Sequence, residues 1–231
     1  MLTDTDEQKS FKKLSSILET GESKTIWSDQ LGDIYIDKGV TGKNGYGLLH
    51  IIENRTKEGK DVEETTAILH LVAQAARKGI INRKIADSND PEKIRRIEIE
   101  ENGIIALLSL HRYNNEEKWI LTGFDNRDKK KEAAGAIQTV IAQYDRSPEF
   151  SYFRKQVGAA VSSLQVSQQL KDKSREIEIA RKAGYVQGVC ECVAAIGDDH
   201  TLGKKLLTEM NVTKDMAKKY ANPETFKALE Q

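Results

Sequence analysis

The dipeptide Asn102-Gly103 constrains this chain more than any other feature of its sequence. It separates two stretches, 94–99 and 104–113, that are rich in β-branched and apolar residues. Asn-Gly supplies the two positive-φ positions that a tight hairpin needs. A second polar break, Asn114-Asn115-Glu116-Glu117, precedes a third strand-like stretch at 118–124. Residues 94–124 therefore predict a three-stranded antiparallel meander. Pairing its last two strands across Asn115-Glu116 sets Ser109 opposite Thr122, His111 opposite Ile120 and Tyr113 opposite Lys118. Side chains alternate between faces along a strand. One face then carries Ile104, Ala106, Leu108, Leu110, Trp119 and Leu121 and suits packing under helices. The other carries Ser109, His111, Tyr113, Lys118 and Thr122.

Helical patterns precede the meander. Residues 8–20 place Phe11, Leu14 and Ile17 or Leu18 on one side. A β-hairpin or two short strands follow at 25–27 and 33–37, around Leu31-Gly32. Glycines 39, 42, 45 and 47 form a loop that leads into a helix at 48–55, with Leu48, Ile51, Ile52 and the stem of Arg55 along one stripe. Asp61 caps a further helix over 62–78, whose stripe is Ile68, Leu71, Val72 and Ala75 and which Gly79 stops. Residues 133–163 hold Ala, Gly, Gln and Ser in an order that favours neither helix nor strand.

The chain changes character near the polar, repetitive segment 162–170. Most glycines, both tryptophans and the strand patterns lie before it; helical patterns follow. A length of 231 residues accommodates one large domain or two small ones, and two are expected: 1–165, an α+β domain with helices on a small antiparallel sheet, and 166–231, a small all-α module. In the second, one helix spans 174–195 with a stripe from Ile179 through Ala183, Val186 and Val189 or Cys190 to Val193. Asp199 caps a helix to Met210 and Thr213 one to about Tyr220. Asn222-Pro223-Glu224 opens the last, with cap, first-turn proline and acid in the preferred order. So small an apolar set makes only a small cluster, or buries its stripe against another surface, which makes 174–231 a candidate interaction or inhibitory module.

Composition removes several function classes. No apolar run is long enough to span a membrane, and the opening Met1-Leu2-Thr3-Asp4-Thr5-Asp6-Glu7 is acidic, unlike a secretory signal. The two cysteines, Cys190 and Cys192, are too few for a disulfide scaffold and too close for an easy bridge, which fits a reducing cytoplasm. Lys+Arg and Asp+Glu are both 36, which counts against a chain that holds nucleic acid by bulk charge.

The motifs present narrow the chemistry. No pair of histidines has metal-ligand spacing and the C-x-C has no second cysteine pair, so neither a metal nor a cofactor is expected. Gly42-Lys43-Asn44-Gly45 is not a P-loop, and there is no G-x-S-x-G. Lys129-Lys130-Lys131 reads first as a solvated loop, with phosphate contact as the lesser alternative. His70 and His200 fall on expected surface positions. His50, in the first turn of a helix after a glycine-rich loop, and the Ser109/His111 face remain as candidates. Polar residues on the outer face of a half-buried sheet are ordinary, so pattern alone does not make that face a site.

Three segments carry a resemblance. Gly32-Asp33-Ile34-Tyr35-Ile36, then Tyr46-Gly47-Leu48-Leu49-His50-Ile51-Ile52-Glu53-Asn54-Arg55, then Trp119-Ile120-Leu121-Thr122-Gly123-Phe124 resemble, in that order, the barnase/colicin-like endoribonuclease domains of phages and mobile elements, in the barnase–EndoU–colicin–RelE group. The likeness covers about residues 25–165 and leaves the tail without a counterpart. It implies a barnase-like α+β fold and toxin-like, metal-independent RNA cleavage, with His50 and Thr122 in the active site.

Cleavage of this kind takes a proton from a ribose 2′-OH and returns one to the 5′-oxygen, and it needs donors around the phosphoryl oxygens. The expected roles follow. His50 and, more weakly, His111 serve as acid and base. Thr122 and Ser109 donate hydrogen bonds, and Arg55, Lys118 and Tyr113 bind a single-stranded RNA substrate. Arg55 stands about 140° round the helix from His50, so it meets the same phosphate only by reaching round. The alternative expectation is a non-catalytic RNA- or protein-binding module on a degenerate nuclease fold.

Overall fold

The computed structural model describes residues 5–88, 90–113, 116–125, 130–196 and 200–229. The chain divides into two compact units, Met1–Gln165 and Val166–Gln231. No helix among the described residues is long and apolar enough to cross a membrane.

The first unit is a mixed α/β structure built on a six-stranded sheet. Its strands are β1 (Lys24–Ser28), β2 (Gly32–Ile36), β3 (Ile80–Ala86), β4 (Ile94–Glu101), β5 (Ile104–Tyr113) and β6 (Glu116–Asp125), in the order β1-β2-β6-β5-β4-β3. Every neighbouring pair is antiparallel except β2 and β6, which are parallel. The meander expected at 94–124 is its centre. Asn102 at φ 52° and Gly103 at φ 74° turn β4 into β5, the left-handed conformations that selected this dipeptide.

Register partners run in one row across all six strands: Thr25, Tyr35, Ile120, Ser109, Arg96 and Ile85. The opposite face supplies Ile34, Ile97, Ile99, Ala106, Leu108 and Leu121 to the core, all at most 3% exposed. Helices α2 (Gly47–Lys57) and α3 (Val62–Lys78) close that face, and α1 (Asp6–Thr20) and α4 (Lys130–Tyr144) pack against α3. The first three turns of α5 (Pro148–Ile196) add Phe150, Phe153 and Val157, fully buried at i, i+3 and i+7. Burying one such aromatic or aliphatic side chain contributes about 1.5–3 kcal/mol. Asp61 caps α3 by accepting the Glu64 N–H at 2.7 Å.

Several expectations need correction. From Leu108 to Tyr113 the β5–β6 register is offset by two: Ser109 faces Ile120, His111 faces Lys118 and Tyr113 faces Glu116. The cause is that Glu116 pairs in β6 instead of turning. A slip of two keeps the side chains of that stretch on their face, where a slip of one would have inverted them; from Leu107 back to Ile105, past the irregularity, the offset is one. Strand β3 was not anticipated. It is an edge strand, irregular at Ile81/Arg83 and Ile85/Ala86, and largely exposed. Residues 133–144 and 148–163 are helical, in α4 and α5. His70 is no surface residue: it is fully buried, because α3 is covered beyond its sheet-facing stripe. The ring of Phe11 stacks on His70 at 4.3 Å.

The second unit is helical in its described parts, with the end of α5, α6 (His200–Glu209), α7 (Lys214–Tyr220) and α8 (Pro223–Leu229). Its core is Val186, Val189, Cys190, Val212 and Ala217, with Leu207, Met216 and Phe226 against them. Ile179, expected in the stripe, is 49% exposed. Thr213 accepts the Met216 N–H and Asn222 the Thr225 N–H, as their cap positions require. Asp199 lies outside the described residues, as does the His200 side chain. Cys190 is buried, which pushes its thiol pKa up, and Cys192 is exposed.

Candidate functional site

A cleft of about 840 Å³ opens between the start of α2, the glycine loop before it and the polar face of the sheet. It collects His50, Arg55, Ser109, His111 and Thr122, five of the seven residues singled out from sequence. Lys118 is not in its lining: it stands opposite His111, and its Nζ lies 4.6 Å from the Tyr35 ring centroid. Tyr113 ends β5, and its side chain lies outside the described residues.

His50 is gripped on both sides. Its Nε2 accepts from Asn54 Nδ2 at 3.1 Å, one helical turn on. Its Nδ1 is buried, without a hydrogen-bond partner among the described residues. Glu53 Oε2 is 4.0 Å from Nδ1. The backbone of Gly45 covers the same nitrogen so closely that a β-carbon there would sit 2.3 Å from it. Glu53 also accepts the Gly42 N–H at 2.7 Å and pairs with Lys57 at 2.9 Å. The Gly42 N–H first, and then Lys57, hold its carboxyl below the usual carboxylate range.

Thr122 sits at a β-bulge. Leu121 pairs with Leu108 and Gly123 with Leu107, so Thr122 is the extra residue between them. Its hydroxyl donates to the Leu107 carbonyl at 3.1 Å. A hydroxyl has one proton, so in the 3.3 Å contact between Ser109 Oγ and Thr122 Oγ1 the donor is Ser109. Both hydroxyl protons are therefore directed to partners within the sheet. His111 is exposed, with its ring 6.5 Å from that of Tyr46, the N-cap residue of α2.

Arg55 is mostly covered. It pairs with Glu58 and lies 4.3 Å over the Phe124 ring. Other cations line the cleft beside it: Lys43, Arg96 and Lys130. Arg96 is exposed and is the register partner of Ser109. The alternation of β4 already placed it on the polar face, but only the β4–β5 register brings it beside Ser109. Lys130 opens α4, so this part of the lysine run is helical and faces the cleft. Glu58 and Glu98 also line the cleft and moderate its charge. Among the described residues, no group of three or more His, Cys, Asp or Glu is arranged to hold a metal ion.

No family model matches the chain, and neither the curated proteins nor the solved structures contain a match to it.

Proposed function

We propose that the first unit is an endoribonuclease that cleaves single-stranded RNA by attack of a ribose 2′-oxygen. The observation that carries this reading is the convergence of two histidines, His50 and His111, with Arg96, Lys43 and Lys130 in one cleft. In this reading His50 removes the 2′-OH proton through Nε2, after substrate displaces the Asn54 amide. The 2′-oxygen bonds to phosphorus, the bond from phosphorus to the 5′-oxygen breaks, and His111 gives that oxygen its proton. The products are a 2′,3′-cyclic phosphate and a free 5′-OH. Arg96, with the two lysines, offsets the charge on the phosphoryl oxygens, the role that sequence reading gave to Arg55. Thr122 and Ser109 support the cleft floor, and the barnase-like character of the fold is part of the same proposal.

The test uses the full chain, labelled single-stranded RNA and excess chelator. Cleavage with cyclic-phosphate ends is expected. His50→Ala and His111→Ala should each lose about 100-fold or more. Activity that disappears with chelator, or survives His50→Ala unchanged, contradicts the mechanism. One observation favours a second reading, a non-catalytic RNA- or protein-binding module: Gly45 and Asn54 cover both nitrogens of His50. RNA retention that Arg96→Ala abolishes, with no cleavage by the wild type, selects it.

A further inference from the structure

The three groups around His50 act on one proton. Asn54 donates to Nε2, which asks that nitrogen to keep its lone pair. Gly45 shields Nδ1, so the near charge at that nitrogen is the Glu53 carboxylate, with Oε2 at 4.0 Å. The same Oε2 is fixed by the Gly42 N–H, and the loop is closed on itself by paired Val40–Tyr46 backbone bonds of 3.1 Å. Glu53 is only 18% exposed at its side chain. An imidazole free in water favours the proton on Nε2, so the opposite tautomer has to be imposed.

We propose that Glu53 is a positioning residue: latched to Gly42, it holds the His50 proton on Nδ1 and so turns the Nε2 lone pair toward the cleft. The carboxylate supplies the negative potential that keeps hydrogen on the near nitrogen. The glycine loop keeps water from competing for that site. His50 then presents a base at Nε2 and, once protonated there, an imidazolium facing a fixed counter-charge. The catalytic consequence rests on the nuclease reading; the tautomer does not.

Two variants separate the latch from the charge. Glu53→Gln keeps an oxygen for the Gly42 N–H and removes the negative charge; Glu53→Ala removes both. The readouts, on the 15N-labelled full chain, are the His50 ring tautomer by long-range 1H–15N correlation and the exchange protection of the Gly42 amide. The His50 ring signals are identified by their loss in His50→Ala. The wild type should show His50 protonated at Nδ1. Glu53→Gln should keep Gly42 protected while His50 moves toward the Nε2–H form. Glu53→Ala should shift the tautomer and also lower Gly42 protection by about tenfold or more. Where the wild type cleaves RNA, Glu53→Gln should lower kcat with little change in KM. A wild-type proton on Nε2, or a tautomer unmoved in both variants, overturns the proposal. A wild type with the Nδ1 proton and no RNA cleavage removes the nuclease reading and leaves this assignment standing.

Discussion

His70 has a fully buried imidazole, and neither ring nitrogen has a hydrogen-bond partner among the described residues. Phe11 stacks on it and Tyr144 meets it edge-on at 5.8 Å. Burial, and then the Arg77 charge, push its pKa down to about 4. The unfolded chain takes up that proton near pH 6.5, whereas the folded chain refuses it until about pH 4. Stability from this residue is therefore whole above pH 6.5 and is lost as pH falls toward 4. Linkage puts the loss at about 2 kcal/mol between pH 7 and pH 5. His70→Phe keeps the aromatic packing and removes the titration. Urea unfolding at the two pH values should show the wild type losing about that much more than the variant; equal losses contradict the account. The sequence misplaced His70 for a definable reason. Its stripe of Ile68, Leu71, Val72 and Ala75 marks the face α3 turns to the sheet, and one helix's pattern does not show that α1 and α4 cover the rest. His50 was legible because a polar ring in an apolar first turn is conspicuous, whereas Arg96 gains meaning only from its partner Ser109 on another strand.

At the scale of elements, the bulge in β6 joins fold to site. Thr122 donates to the Leu107 carbonyl and receives the Ser109 proton, so the two hydroxyls are unequal. Thr122→Val keeps the shape and leaves that carbonyl without its donor, which should cost about 1 kcal/mol. Ser109→Ala removes the outer link only and should stay within about 0.5 kcal/mol of wild type. Denaturation midpoints of the two variants check this order; a Ser109→Ala loss equal to that of Thr122→Val would contradict it. Elements with a strong local signal were legible: the Asn102-Gly103 hairpin, the Asp61 cap and the Thr213 cap. Those whose signal is tertiary were not. Strand β3 carries Arg83 and Lys84 on an edge, a composition that discourages pairing with other chains and blurs its alternation. Helix α4 buries only Ala133, Ile137 and Val140, too thin a stripe for alanine- and glutamine-rich sequence to declare. The parallel pairing of β2 with β6 joins strands more than eighty positions apart, which no local pattern records.

For the molecule as a whole, the informative stretch is 165–182, where α5 passes from one unit into the other and every residue is exposed. Both ends of α5 are anchored by burial, Phe150, Phe153 and Val157 in the first unit and Val186, Val189 and Cys190 in the second. Between those anchors, helix propensity and local pairs such as Gln168–Asp172 at 3.0 Å hold the backbone. Such support is weak next to tertiary packing, so this is where α5 opens most readily. It also holds Lys171, Lys173, Arg175, Arg181 and Lys182, all accessible to trypsin on opening. Limited trypsin digestion, followed by intact-mass measurement, should therefore place the first cuts between Lys171 and Lys182, ahead of exposed lysines in the loops of the first unit such as Lys43. First cuts at Lys43 or Lys93 would show that α5 is better held than its exposure implies. The purified amino-terminal fragment then allows the inhibitory role of the tail to be decided. If the second unit restrains the cleft, the fragment should cleave RNA faster than the full chain, and a separately expressed 166–231 should slow it again. If the fragment and the full chain cleave at one rate, and the added tail neither binds nor slows the fragment, the second unit is an independent docking module.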